Sequence, residues 1–192
     1  MSDTFFQSSL ITGASSGLGA AFARHLAKPG SHLVLVARRS DRLNILSKEL
    51  EKLGATVEPL VADLATEQGI QTVVKKITAL PNLDLLINNV GFGVVGPFAK
   101  EPLSIQADML RVHNEAPMRL TYAALQGMLS RKKGAIINVA STAAYAHNGE
   151  DAMYCAHQGF SGCIQRFPPR RITGHGGKNS STLPGVHSHR IS

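Results

Sequence analysis

A short apolar run that ends in Thr12-Gly13-Ala14-Ser15-Ser16-Gly17-Leu18-Gly19 and reopens as an amphipathic segment constrains this chain more than any other stretch. Glycines let the backbone turn tightly and approach a ligand with no Cβ in the way. Between a strand and a helix start, they leave N–H groups at the positive end of the helix dipole, which suits an anion such as a pyrophosphate. Gly13, Gly17 and Gly19 are the expected cradle, Thr12 and Leu18 complete the turn, and Ser15 and Ser16 add hydroxyl donors.

Up to residue 157, short β-branched or leucine-rich runs alternate with longer amphipathic segments. That alternation predicts an α/β fold, a Rossmann-like doubly wound parallel sheet. Strands are expected at Leu10–Thr12, His32–Ala37, Thr56–Ala62, Leu83–Asn88 and Ala135–Ala140. Helices are expected at Gly17–Lys28, Asp41–Leu53, Glu67–Ala79 and Leu103–Ser130, with N-cap oxygens from Ser40-Asp41 and a stop at Gly54. A hydrophobic content of 43% in 192 residues is enough for one globular core and excludes a wholly disordered polymer.

From Gln158 the periodicity gives way to Gly, Pro, Ser, Arg and His, with Pro168-Pro169 and two glycines at 176–177 breaking regular structure. Residues 1–157 therefore read as one nucleotide-binding domain and 158–192 as an irregular basic tail. The tail holds Arg166, Arg170, Arg171, Lys178 and Arg190 and no acid, out of a net charge of +7. Basic segments bind polyanions non-specifically, but only Phe160 and Phe167 interleave here, so no specific nucleic-acid partner is expected. Two cysteines, Cys155 and Cys163, are too few for a disulfide framework and fit the cytoplasm. No apolar stretch approaches the ~20 residues that span a bilayer, so no membrane association is expected, and no metal site is assigned.

The variant Thr-Gly-x-x-x-Gly-x-Gly, together with Asp63-Leu64, Asn88-Asn89-Val90-Gly91, Ser141 and Tyr154 in that order, resembles the short-chain dehydrogenase/reductase family. The resemblance implies an oxidoreductase that transfers hydride between a nicotinamide cofactor and a small carbonyl or alcohol. It implies Tyr154 as proton donor and Ser141 as the group that polarises the substrate oxygen. Asp63 beside Leu64 would meet the adenine, and Asn89 with Gly91 would line the cofactor cleft; Asn88 and Asn89 could instead only tie strand ends together. Where a NAD-binding protein offers a carboxylate after the second strand, this chain has Ala37-Arg38-Arg39. Guanidinium groups pair bidentately with phosphate oxygens, so Arg38 points to NADP(H). Members of the family often pair into dimers through the long helix and the tyrosine-bearing helix, so a homo-oligomer is an open expectation.

Three departures accompany the resemblance. The family has a lysine four residues after the tyrosine, but here Gln158 stands there, without the charge that would stabilise a phenolate. The family has an asparagine in the long helix that carries a proton-relay water. Counting back from Ser141 selects Asn114, whereas matching the Ala116-Pro117 pair selects His113; the amide of Asn114 suits a water chain better. Finally, nothing after His157 resembles the family, so one face of the sheet is expected to stay partly open. Dropping the first base of a Gln158 codon yields a frame that can spell a lysine followed by an amphipathic helix, which makes a frame shift the expected origin of the tail. The leading expectation is an NADP(H)-dependent oxidoreductase of impaired activity; the alternative is a catalytically inactive nucleotide-binding remnant.

Overall fold

A computed structural model describes residues 6–94, 96–145, 152–165 and 186–191. In chain order the elements are β1 (Ser8–Thr12), α1 (Gly17–Leu26), β2 (His32–Ala37), α2 (Ser40–Glu51), β3 (Thr56–Val61), α3 (Glu67–Thr78), β4 (Leu85–Asn88), α4 (Leu103–Leu110), α5 (Ala116–Arg131), β5 (Gly134–Val139), α6 (Ala152–Gln165) and β6 (Val186–Ile191). The strands form one sheet in the order β3-β2-β1-β4-β5-β6, and the first five run parallel. The expected doubly wound parallel sheet is therefore present.

β1, β2 and β4 are buried on both faces, because the crossover helices lie on either side of the sheet, whereas β3 at its edge is only partly covered. On one face Leu10, Val34, Val36, Leu86 and Ile136 pack with Ile70, Val73 and Ile77 of α3 and Leu120, Ala124 and Met128 of α5. On the other, Ile11, Leu33, Leu35, Leu85 and Ile87 pack with Ala20 and Ala23 of α1 and Leu43, Leu46 and Leu50 of α2. Successive strand residues alternate between the two clusters, as the period of two requires. The chain reverses direction across the sheet between β1 and β4, which opens a crevice at the carboxyl ends of those strands.

Three expectations about helices differ from the structure. The second helix begins at Ser40 itself, with Arg39 in the N-cap position and no side-chain cap. The long helix is not uniform: Arg111–Glu115 forms a π turn between α4 and α5. Pro117 explains it, since a proline has no N–H to donate and its ring crowds the carbonyl four residues back, so the ladder widens and Ala116 N–H bonds Arg111 O. The helix bearing Tyr154 does not stop at His157 but runs to Gln165. Gln158 is buried there and bonded to two other elements, and this tertiary anchoring overrides the helix-weakening Gly159 and Gly162.

The tail also contributes β6, which runs antiparallel along all of β5 from Gly134↔Ile191 to Val139↔Val186. An open edge of a sheet offers unpaired N–H and C=O groups, and β6 satisfies them. The Pro168-Pro169 and Gly176-Gly177 breaks lie outside the described residues. Among the described residues no helix is long and apolar enough to cross a membrane, and no three or more His, Cys, Asp or Glu gather as metal ligands would.

Candidate functional site

The carboxyl ends of β1, β2, β3 and β4 surround a cavity of about 390 Å³ lined by Gly13, Ser15, Ser16, Arg38, Arg39, Asp63, Asn89 and Phe92, among others. Its floor is stitched by Thr12, whose fully buried Oγ1 accepts the N–H groups of Asn89 (2.9 Å) and Val90 (3.2 Å) and whose hydroxyl donates to Ile87 O. Thr12 thus fixes the β1 and β4 ends against each other and is screened from the cavity. Asn89 completes the stitch: its Nδ2 donates to Thr12 O at 3.0 Å and approaches Gly13 O. Asn88 instead turns to Asn138 Oδ1 (2.7 Å) and Thr121.

The glycines earn their places differently. Gly13 has φ of +68°, and a Cβ there would lie 2.8 Å from Asn89 Nδ2. A Cβ on Gly19 would press into the Gly13 carbonyl, so this glycine allows α1 to pack on the turn. Gly17 also has a positive φ but faces open space. Ser16 N-caps α1 without a side-chain bond, leaving the helix's first N–H groups to other acceptors. Leu18 is exposed, and Leu64, buried in the core, also lines the cavity.

The two arginines divide the cationic wall. Arg38 is 71% exposed and leans toward Asp63 at 4.0 Å. Arg39 spans the glycine-rich turn, donating from Nη2 to Ser15 Oγ (2.9 Å) and Ser16 Oγ (2.7 Å). Sequence reasoning singled out Arg38 and missed Arg39; the signal was the pair of hydroxyls at Ser15 and Ser16, which a neighbouring guanidinium can bridge. Asp63 turns back on its own chain, with Oδ1 accepting Ala65 N–H at 3.0 Å.

At the opposite end, β5 delivers Ser141 and α6 delivers Tyr154. Ser141 Oγ accepts Ala143 N–H at 3.2 Å, which leaves its own proton to donate. The ring of Tyr154 stands edge-on to His113, with centroids 5.6 Å apart, and its Cδ2 and Cε2 would lie 3.5 Å from a Cβ placed on Gly93. His113, not Asn114, is the π-turn residue that meets the site. Its ring packs where a Cβ on Gly91 would be 2.6 Å from Cε1, and it bonds Phe92 and Gln158. Asn114 faces away toward α6, its Nδ2 reaching His157 O at 3.5 Å. Each helical step turns the side chain by ~100°, so neighbouring residues cannot share a face. Burial pushes His113 below the usual histidine range, against the opposing pull of the Phe92 backbone. Burial, and then the nearby His113, does the same to His157.

The family model for short chain dehydrogenase matches residues 7–161. The chain belongs to the short-chain dehydrogenase family. A short chain dehydrogenase of Pseudocercospora fijiensis is 35% identical over 141 residues, covering 72% of this chain and 46% of the relative. Among solved structures, the bulky-bulky ketone specific alcohol dehydrogenase of Comamonas testosteroni superposes with a TM-score of 0.81 at 30% identity, covering 85% of this chain and 66% of that one. A short-chain dehydrogenase of Sphingobium yanoikuyae in complex with NADPH gives 0.79 at 32%, covering 83% and 63%. This short-chain dehydrogenase family member therefore spans about half the length of the fungal relative and under two thirds of the Sphingobium enzyme.

Proposed function

We propose that the chain binds NADP(H) in the cleft above β1 and β4 and carries a weakened machinery for reducing a small carbonyl compound. The single observation that carries the cofactor assignment is Arg39 held on the Ser15 and Ser16 hydroxyls beside an uncharged Ala37. A guanidinium so placed fixes a positive charge beside the turn, with Nη1 beyond the two serine hydroxyls to donate to a 2′-phosphate, and no carboxylate closes β2 to repel one. The glycine turn fits the pyrophosphate, because a Cβ on Gly13 or Gly19 would fill the cradle. The NADPH complex of the Sphingobium relative supports the same choice.

Bound NADP(H) supplies the hydride in reduction and receives it in oxidation. Ser141, its Oγ already accepting Ala143 N–H, donates its hydrogen to a substrate carbonyl oxygen. Tyr154 gives the proton that this oxygen needs as negative charge develops. Gln158 brings no cation to the site, so alcohol oxidation, which needs a base, suffers more than carbonyl reduction. Asp63, Asn89 and Gly91 line the cofactor side, and Asn114 acts through α6 rather than on the substrate. Leu103, Leu110, Met118, Tyr122 and Leu129 stay exposed on α4 and α5, which supports association of two copies along this helix. The two cysteines and the family support a cytoplasmic setting.

A second reading, a nucleotide-binding remnant without turnover, is favoured by one feature: both ends of the Gln158 amide are already engaged by Ser141 and His113, leaving it poorly placed to hold a ribose. Titration of the full chain with NADPH and NADH by fluorescence, followed by a turnover assay, separates the two. NADPH should bind more tightly, and Arg39→Ala should weaken it about tenfold or more while leaving NADH nearly unchanged, the loss of ~1.5–3 kcal/mol typical of a charge-assisted pair. Equal affinity of the native chain for both nucleotides overturns the assignment.

A further inference from the structure

Between the π turn and α6 a chain of hydrogen bonds takes its direction from the Ser141 end. Ser141 N–H donates to Gln158 Oε1 at 2.8 Å, Gln158 Nε2 lies 3.1 Å from His113 Nδ1, and His113 Nε2 lies 2.6 Å from Phe92 O. The direction follows from elementary chemistry. A backbone N–H can only donate, so the carbonyl end of the Gln158 amide must face Ser141 and its NH2 end must face His113. Nδ1 then has to accept, which places the proton of a neutral ring on Nε2; there Phe92 O, at 2.6 Å, accepts it, and Phe92 N–H, which also lies within 3.2 Å of Nε2, is the weaker of the two contacts. Gln158 and His113 are both buried, and Gly91 supplies the space the ring occupies.

We propose that Gln158 and His113 are positioning residues that lock the Ser141 end of β5 to the Phe92 wall of the cofactor cleft through one neutral histidine tautomer. They take the positions at which the family resemblance places a lysine and, on the Ala-Pro match, an asparagine. The lock rests on the assignment of Ser141 and of the cleft made above. It orders both walls with no charge in the site, and it acts through Ser141 and Phe92 rather than on a substrate. Tyr154 and His157 face the His113 ring from α6, the ring of His157 lying parallel at 6.2 Å; from the loop after β4 Gly91 and Phe92 present backbone, and the Phe92 ring lies tilted at 6.1 Å; Arg111 and Glu115 flank it in the π turn. Burial in this setting favours the uncharged ring.

Two-bond ¹H–¹⁵N spectra of the full chain with labelled histidine test the lock directly, alongside NADPH titration. The His113 signal is assigned by its loss in His113→Gln or, should that variant not fold, by its contacts to the Tyr154 ring. The native chain should show His113 as a pure Nε2–H tautomer at neutral pH. Gln158→Leu should convert it to a mixture and weaken NADPH about fivefold, the worth of one neutral hydrogen bond. Gln158→Glu should keep the Ser141 anchor while drawing a second proton onto His113. A native His113 carrying its proton on Nδ1, or a Gln158→Leu spectrum identical to the native one, overturns the proposal. A locked His113 in a native chain that takes up no NADPH sustains the lock and removes the cofactor assignment instead.

Discussion

The two ends of the cleft are built on different principles. The phosphate end comes from residues close in sequence: the β1–α1 turn and the first residues after β2 meet because those strands are neighbours in register. Its interactions are main-chain amides, hydroxyls and two guanidinium groups, all suited to an anion. The reacting end joins Ser141, Gln158, His113 and Phe92, which come from four separate elements, and its hydrogen bonds are neutral. A charged, locally encoded site tolerates change elsewhere in the chain, whereas a neutral, tertiary one depends on every element that delivers a residue.

The sharpest way to break this contrast is Gly19→Val. Its side chain would meet the Gly13 carbonyl, so the turn must open; stability should fall by about 3 kcal/mol or more in urea melts, and NADPH binding should vanish. Gly17→Ala, with open space around it but a φ of +55°, should cost only ~1–2 kcal/mol. Comparable losses for the two would mean that packing of α1 on the turn is not what Gly19 serves.

Next in size is Thr12→Val. The isosteric change removes the acceptor for the Asn89 and Val90 N–H groups, leaving buried donors without it, and should cost ~1–3 kcal/mol. The same melts measure it, and a change within error would show that the β1–β4 stitch is replaceable.

The smallest effect is a pH dependence belonging to the reacting end. His113 and His157 both have folded-state pKa values lowered by burial. The unfolded chain takes up their protons near pH 6.5 while the folded chain does not, so the unfolded state binds more protons as pH falls. Their contribution is therefore fully present above that pH and is lost on acidification. Between pH 7.5 and 6 the expected loss is about 1 kcal/mol or less, and His113→Gln should flatten the slope. Stability that rises on acidification across this window would contradict the burial of the pair.

Much of this was legible in advance, for identifiable reasons. Leu33–Ala37 is a continuous apolar run between Gly30 and two arginines, and β2 covers it as His32–Ala37. The glycine turn was legible because its backbone demands are local. Arg39 was not, because a guanidinium three methylenes from its backbone chooses its partner by what the turn after β1 places beside it. The choice between His113 and Asn114 was equally closed to counting: it turned on a π turn whose cause, Pro117, lies in the sequence but whose effect is a rotation of side chains about the helix axis. The helix through Gln158 and the strand at Val186–Ile191 escaped a reading of composition because partners from β5 and the π turn hold them.

By itself the sequence determined the order of the parallel βα units and the glycine cradle, because hydrophobic period and backbone freedom act over a few residues. Which arginine grips the turn, which residue of the long helix faces Tyr154, and what Gln158 does were decided only by the tertiary structure, because each depends on a hydrogen-bond partner brought from a distant element.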